Sequence, residues 1–320
     1  MNPSRVTSCA FLLIVGLPAG NTSADTFGPV GGQFTIDFVP ISSATNPSSG
    51  FGRVYNDYRI GTFEVTNDQW SKFESAYGTV TGSDCSYMFS AYWPGSNVPT
   101  TEVCWFETAQ FVNWLNTSTG HQPAYNFSGT QGTSDYTMVT WTPAEADNGT
   151  NLYRHKDAFY YLPTEDEWVK AAYWNGTSLQ MYANASPNDL VGGVPDPTGW
   201  NYGNHAMGQP WNVGTGFQEL NGTYDMMGNV MEIMESPYVV GNYDTHALRV
   251  WRGGAFNQGS YALAERYDDD SESFYGSYNV GFRVASDVPE PSSFGLLALA
   301  GSILLKKRRH PQICLYRRLP

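Results

Sequence analysis

The stretch YLPTEDEWVKAA at residues 161–172 decides much of the fold, together with YDMMGNVMEI at 224–233, VWRGGAF at 250–256 and NVGFRVAS at 279–286. In the first stretch, Thr164 is placed to cap a helix, and Glu167 three residues later completes a capping box. Acidic residues in the first turn also favour a helix, because they face the positive end of its dipole. The sequence therefore predicts a helix that begins after Thr164 and ends at Asn175 and Gly176.

Two earlier stretches, TNDQWSKFESAYG at 66–78 and WFETAQFVNWLN at 105–116, place apolar residues at the three- and four-residue spacing of helices. After residue 176 the chain is rich in Gly, Asn, Pro and Tyr, and only 230–235, 248–256 and 278–285 suggest strands. Helices followed by short strands and irregular loops indicate an α+β domain with little regular structure. Its 10 tryptophans and 21 tyrosines can supply core contacts between loops.

Both ends of the chain have the composition of targeting segments. The apolar run at 9–19 follows Arg5 and precedes small residues, which predicts a cleaved signal peptide over 1–24, with a buried N-terminal element as the alternative. At the other end, VPEP at 288–291 leads into an apolar run at 292–305 and then KKRR at 306–309. This arrangement resembles the PEP-CTERM sorting tail of exported bacterial proteins. The resemblance implies a membrane anchor over 287–309, processed by an exosortase-type machinery, with a further tail at 310–320.

The predicted folded domain, residues 25–286, is strongly acidic. Seven of the 17 lysines and arginines lie in the terminal segments, whereas all 30 acids lie between residues 25 and 290, which leaves a net charge of about −20. Such a surface repels nucleic acid and anionic lipid, so nucleic-acid binding is excluded. We expect an exported protein of the cell surface or extracellular matrix, initially anchored in the cytoplasmic membrane.

Within the predicted domain the cysteines are Cys85 and Cys104. In an exported protein they could form a disulfide that closes a loop of roughly 20 residues and contributes about 3 kcal/mol. Two separate buried thiols are the alternative.

The segments quoted above, with EVTNDQW at 64–70 and TEVCWFETAQFVNWLN at 101–116, resemble the formylglycine-generating enzyme, or sulfatase-modifying factor, family in order and spacing. The resemblance covers about residues 55–286. It implies a variant of the C-type-lectin-like fold. It also implies an oxidase that converts a sulfatase cysteine to formylglycine with copper held by two cysteines.

This chain departs from the family at those two cysteine positions, which by spacing after the Arg-Gly-Gly segment fall on Gln258 and Leu263. Thiolate is the soft ligand that holds Cu(I), and neither an amide nor a hydrocarbon replaces it. We therefore expect no copper and no residues of the family's catalytic machinery.

The resemblance also implies structural calcium. The family's Gly-Asn-Val-Trp-Glu loop binds Ca²⁺ through backbone carbonyls and a carboxylate, and the matching positions are Asp225, Gly228, Val230 and Glu232. A plain turn with Glu232 either in a salt bridge or exposed is the alternative. A second calcium loop matches only at Asn201 and Tyr202, which no acid follows to complete.

The sequence thus leaves several functions open. The favoured hypothesis is an exported, surface-anchored, non-catalytic domain that binds an extracellular carbohydrate or protein. The alternative is a formylglycine-generating-type oxidase, or another enzyme of the family, that uses a site not built on the usual cysteines. A purely structural matrix component or a partner of a sulfatase is also compatible with the sequence.

Overall fold

The computed structural model of the chain describes residues 22–82, 92–184, 190–193, 195, 198–204 and 208–289. In that part of the chain the α-helices are α1 (Asn67–Tyr77), α2 (Trp105–Ser118) and α3 (Glu165–Tyr173). All of them confirm the helix predictions, and α2 extends two residues beyond its predicted end. The capping boxes at Thr66 and Thr164 are formed as expected.

Short strands connect and surround these helices. In order they are β1 (Ser23–Phe27), β2 (Phe34–Ile41), β3 (Tyr58–Gly61), β4 (Asn126–Ser128), β5 (Thr137–Val139), β6 (Ala146–Asp147), β7 (Asn151–His155), β8 (Tyr160–Tyr161), β9 (Met231–Pro237), β10 (Arg249–Arg252), β11 (Asp269–Ser271), β12 (Val280–Gly281) and β13 (Ala285–Asp287). They form a sheet of order β1-β2-β3-β13-β8, a sheet of order β11-β10-β9-β12, and the hairpins β4-β5 and β6-β7. The predicted α+β fold is confirmed.

The first sheet joins the two ends of the folded domain. Strand β1 pairs with β2, and β13 lies between β3 and β8, with Ala285 opposite Ile60 and Tyr161. Strand β1 begins at Ser23, inside the segment predicted as signal peptide, and Arg59 donates a hydrogen bond of 2.8 Å to its hydroxyl. Residues 1–21, which hold the rest of that prediction, lie outside the described residues.

The prediction of one strand over 278–285 is wrong. Strand β12 runs parallel to β9 in the second sheet, whereas β13 pairs with β3 and β8 in the first. The residues between them cross from one sheet to the other, and this crossing brings the side chain of Arg283 to Glu232 on β9. The predicted strand is divided because its two ends pair with strands of different sheets.

The core is built largely from aromatic rings, as the composition suggested. Between α1, α2 and the first sheet, Trp70 contacts Phe73 at 5.1 Å, Phe111 at 5.8 Å and Phe282 at 5.9 Å between ring centroids. These rings are all buried. Such contacts contribute about 0.5–1.5 kcal/mol each beyond the burial of their surface.

None of the helices in the described ranges has the length and apolar composition needed to cross a membrane. Of the predicted anchor over 287–309, only residues 287–289 fall in those ranges, and the tail at 310–320 lies wholly outside them.

Candidate functional site

The Arg-Gly-Gly segment ends β10 and fastens the loop that follows. Arg252 is buried and forms an ion pair with Glu165 at the start of α3, while its other nitrogen donates to the carbonyls of Glu265 and Tyr267. Gly254 has φ +71°, and a Cβ there would lie 2.8 Å from the carbonyl oxygen of Ala262. The motif therefore anchors the loop 253–267 against α3.

Gln258 and Leu263, the residues predicted to stand at the positions of the family's copper cysteines, lie in this loop, and their side chains do not fit copper. The side-chain oxygen of Gln258 accepts a hydrogen bond of 3.0 Å from the backbone of Ala255, which closes the turn. Leu263 is fully buried in the core, and its carbonyl accepts from the hydroxyl of Tyr173 at 3.0 Å. Both side chains have structural roles here, and neither supplies a soft ligand.

Glu232, the acid of the predicted calcium site, is the counter-ion of Arg283. The guanidinium donates to both carboxylate oxygens at 2.6 and 2.7 Å, and the indole of Trp168 adds a bond of 2.8 Å. Glu232 and Arg283 are both fully buried. Glu232 therefore does not fit the role of calcium ligand in this arrangement, and the salt-bridge alternative describes it.

The remaining residues of that prediction are also held by the protein. Asp225, at φ +60°, accepts from the backbone of Gly214 at 2.7 Å, and the backbone of Val230 donates to Glu64. Gly228 approaches Asn201 so closely that a Cβ would lie 2.3 Å from its carbonyl oxygen. The tight loop is present, but its carboxylates serve internal donors. Calcium at this loop stays a prediction.

Several further carboxyl groups lie near Arg283, and burial raises their pKa values. Burial and the charge of Asp225 raise the pKa of Glu219 to about 8, whereas burial and Glu232 raise the pKa of Asp225 to about 6. Burial and the same neighbours raise the pKa of Glu64 well above its usual range. Burial opposes the charge on Arg283, but the surrounding carboxylates outweigh it and raise its pKa. The cluster therefore contains more acid than Arg283 alone neutralises.

At the second predicted calcium loop, Asn201 is buried and donates to Gln209 and Asn229. Its side-chain oxygen finds no hydrogen-bond donor among the described residues. An orphaned amide oxygen is the kind of atom that a hard cation satisfies, so Asn201 fits that role. The hydroxyl of Tyr202 is engaged elsewhere, because it donates to Leu190 at 3.2 Å.

Cys104 is buried at the start of α2, where its backbone donates to Glu107 at 2.8 Å. Burial and the charge of Glu107 raise the pKa of this thiol, which disfavours the reactive thiolate. Its predicted partner Cys85 lies outside the described residues, so the disulfide stays a prediction.

A group of rings borders the loop of Gln258, and we call Tyr92, Trp93, Phe256 and Tyr278 the aromatic face; Tyr92 and Tyr278 are exposed, Trp93 is half-buried and Phe256 is buried. The rings of Tyr92 and Tyr278 lie 5.7 Å apart, and Trp93 packs edge-on against buried Phe256 at 5.5 Å. Tyr92 is 55% exposed and Tyr278 38% exposed. Asn257 donates to the Tyr278 hydroxyl at 2.9 Å and accepts from Asn279 at 3.2 Å, which places the ring beside these two side-chain amides.

Sequence reasoning did not single out these rings. Tyr92 and Trp93 precede Pro94 and Gly95 in an irregular loop. Tyr278 lies 185 residues after Trp93 in the chain, and its carbonyl accepts a hydrogen bond from the Trp93 indole. An aromatic pair beside Pro-Gly is a signal of an exposed turn. Its partner ring is visible only once the fold is known.

Comparison with known proteins places this arrangement in a family. A family model described as the sulfatase-modifying factor enzyme 1-like domain matches residues 17–288. A curated relative, "Chaperone protein LppX" of Paenibacillus barcinonensis, is 27% identical over 250 residues, which cover 69% of this chain and 78% of that protein.

Solved structures show the same fold at lower identity. Treponema denticola variable protein 1 is 17% identical with a TM-score of 0.57, and the match covers 83% of this chain and 99% of that one. The protein CarF is 22% identical with a TM-score of 0.55, and the match covers 79% of this chain and 99% of that one.

Proposed function

Because the chain belongs to the sulfatase-modifying factor enzyme 1-like domain family, we propose that it is a non-catalytic member that is exported, anchored at the cell surface, and binds an extracellular ligand through the aromatic face. The observation that carries this proposal is the pairing of Gln258 and Leu263 at the copper positions with exposed rings beside them. In this proposal the loop supports the rings and does not carry copper chemistry. The aromatic face beside the loop is then the surface that binds the ligand.

A carbohydrate is the ligand class that this surface suits best. Sugar rings present flat C–H faces that pack on aromatic rings, and planar amides such as those of Asn257 and Gln258 can both donate to and accept from hydroxyl groups. The Tyr92 and Tyr278 rings are already in contact, so they lose little freedom when a ligand packs on them. A relative named as a chaperone supports a role in binding rather than in catalysis.

Export and anchoring rest on the two terminal patterns and on the acidic domain between them. We expect the native protein in the membrane or extracellular fraction, and full-length protein found only in the cytosol would contradict this part of the proposal. Calcium at the loop of Asn201 also remains a proposal, tested by the rise in melting temperature when Ca²⁺ is added to chelator-treated protein. Asn201→Ala should reduce that rise.

The binding proposal is tested by screening the purified chain against a panel of extracellular polysaccharides and oligosaccharides, followed by calorimetry on each hit. Tyr92→Ala and Tyr278→Ala should each weaken binding at least about tenfold, since a stacked ring contributes roughly 1–3 kcal/mol. Tyr55→Ala is the matched control, because Tyr55 is more exposed but lies in a different cleft. Equal loss in all variants would refute the assignment to the aromatic face.

If no glycan binds, a protein ligand is tested by capture from the extracellular fraction of the native cells. A protein retained by the wild-type chain and by Tyr55→Ala, but not by Tyr92→Ala or Tyr278→Ala, would replace carbohydrate as the ligand. Failure of both screens would overturn the proposal that this face binds.

The oxidase alternative has its own assay. The chain is offered Cu(I), oxygen and a peptide with a sulfatase-type cysteine motif, and the peptide mass is followed for loss of the thiol and gain of an aldehyde. We expect no conversion while an active family enzyme converts the peptide alongside. Conversion would mean that copper is held by residues other than Gln258 and Leu263.

A further inference from the structure

A second cleft, separate from the aromatic face, lies between the loop before β3, the β6-β7 hairpin, the N-terminus of α3 and the end of β9. Its volume is about 320 Å³, and its lining includes none of the aromatic-face residues or copper positions. A volume near 300 Å³ is at the lower end of the range for small-molecule sites. The cleft is therefore large enough for a small ligand or a single long side chain.

At the base of this cleft lies Arg154, whose charge is neutralised by neighbouring carboxylates. Arg154 is 5% exposed and forms ion pairs with Glu235 at 3.0 Å and with Glu167 at 2.9 Å. Its guanidinium also lies 3.6 Å from the ring centroid of Tyr161. Because two carboxylates and a ring face already surround it, Arg154 offers little attraction to an anionic ligand.

The rim, by contrast, has carboxylates with weaker internal partners. Asp147 is 3.8 Å from Arg154, beyond hydrogen-bond distance. Asp287 is exposed, and the bond that it accepts within the described part of the chain is a long one of 3.3 Å from Tyr161. Counted over the whole lining, six acidic residues face three lysines and arginines: Asp147, Glu165, Asp166, Glu167, Glu235 and Asp287 against Arg53, Arg154 and Lys156. Arg252 neutralises Glu165 from outside the lining, and an excess of negative charge remains.

The start of α3 could in principle favour an anion, because a helix N-terminus is positive. Here it is already neutralised by its own acids. The carboxylate of Glu167 accepts a hydrogen bond of 2.7 Å from the backbone N–H of Thr164, and that of Asp166 accepts one of 2.8 Å from the backbone N–H of Gly52. The helix end therefore does not reverse the sign of the cleft.

Aromatic rings complete the walls. Tyr55 is 84% exposed at the rim, and Tyr58, Tyr161 and Tyr243 lie among the other lining residues. An ammonium or guanidinium group over the face of such rings gains about 0.5–2 kcal/mol, and Arg154 on Tyr161 shows that the walls accept a cation in this way.

From this combination we propose that the cleft binds an organic cation, an ammonium or guanidinium group on a slender chain, between the carboxylates of Asp147 and Asp287 and the tyrosine walls. The same chemistry is supplied by a free aliphatic amine and by a lysine or arginine side chain of a peptide. Because the site lies apart from the aromatic face, it can be occupied whether or not that face binds carbohydrate.

The test titrates the purified chain at low ionic strength with the diamine putrescine, with a short lysine-containing peptide, and with butanediol as the uncharged analogue of the diamine. Binding is followed by calorimetry and competition. Asp147→Asn and Asp287→Asn remove one charge each without changing shape, and each should weaken amine binding roughly two- to fivefold, the range for partly exposed ion pairs. The double variant should weaken it about tenfold or more.

Glu272→Gln is the matched control, because it removes an exposed acid from the loop after β11, outside the cleft lining. Tighter binding of the peptide would identify a polypeptide as the source of the cation, and tighter binding of the diamine would identify a free amine. The proposal is overturned if butanediol binds as well as putrescine, if Glu272→Gln weakens binding as much as the cleft variants, or if no amine binds at all.

Discussion

The buried pair of Glu232 and Arg283 gives the sharpest prediction of this structure. Arg283 is the cation that the described residues place among the carboxyl groups of Glu232, Glu64, Asp225 and Glu219, and it also donates to the carbonyls of Gly61 and Tyr224 at 2.9 Å. The change Arg283→Met preserves much of the volume and removes the charge. Among the described residues, it leaves the buried side chain of Glu232 with Trp168 as its hydrogen-bond donor.

Removing one partner of such a pair costs about 3–5 kcal/mol. At roughly 2–4 °C per kcal/mol for a domain of this size, the melting temperature should fall by about 6–20 °C. The change Glu232→Gln should cost less, about 1–2 kcal/mol, because Arg283 keeps other carboxylates around it and the amide oxygen can still accept from Trp168. The two single changes are therefore expected to be unequal.

The double variant decides the argument. In the Arg283→Met background, Glu232→Gln removes an uncompensated buried charge, so it should stabilise the protein by about 1 kcal/mol or more, although it destabilises the wild type. This reversal corresponds to a coupling energy of about 2–3 kcal/mol, at the upper end for residues in contact. The free energies of unfolding are measured by urea denaturation of the four proteins at pH 7.

The same set of proteins separates the ion pair from the calcium prediction. If Glu232 is the counter-ion of Arg283, Glu232→Gln leaves any rise in stability caused by Ca²⁺ unchanged. If Glu232 is a calcium ligand, that rise disappears in Glu232→Gln. Additive effects within about 0.5 kcal/mol in the double variant would refute the pairing.

Other consequences of the structure can be tested in the same way. The pKa of Asp225 is raised to about 6, so between about pH 4 and pH 6 the folded protein keeps a proton that the unfolded chain releases. The free energy of unfolding should therefore fall as the pH rises through this range, by up to about 1.4 kcal/mol per pH unit from this group. Asp225→Asn should flatten this part of the pH profile, which is measured by urea denaturation. Gly254→Ala should cost about 2 kcal/mol or more because of its positive φ and the close carbonyl of Ala262, whereas Gly241→Ala, with positive φ but open space, should cost only about 1 kcal/mol by thermal denaturation. Thr164→Ala should lose about 1 kcal/mol of helix capping, which Thr164→Ser restores; a full loss in both would refute the capping role.

The helices and the family-like loops could be predicted from the sequence because their causes are local. The hydroxyl of Thr164 and the carboxylate of Glu167 are three residues apart, and the structure joins them as the capping box required. The strand over 278–285 was wrong for the opposite reason. Its division between two sheets depends on pairing with β9, β3 and β8, which the local pattern does not contain.

The candidate site shows the same division. The prediction that Gln258 and Leu263 replace two thiolates rests on the sequence alone, because it depends on the spacing after the Arg-Gly-Gly segment. The role of Glu232 could not be predicted in that way, because a carboxylate after a Gly-Asn loop can bind Ca²⁺ or pair with an arginine side chain. Its partner Arg283 lies 51 residues further along the chain.

These contacts also show what the family motifs contribute to the fold. Arg252 joins β10 to α3 through Glu165, and Arg283 joins the crossing after β12 to β9 through Glu232. Thr164 and Glu167 cap the start of α3, and the carboxylate of Glu167 also accepts a hydrogen bond from Arg154 at the base of the second cleft. Each quoted motif thus carries buried charges or caps that stabilise the scaffold independently of copper. A match to these motifs is therefore a statement about the fold, whereas the function must be sought in what the loops expose: the aromatic face and the acidic cleft.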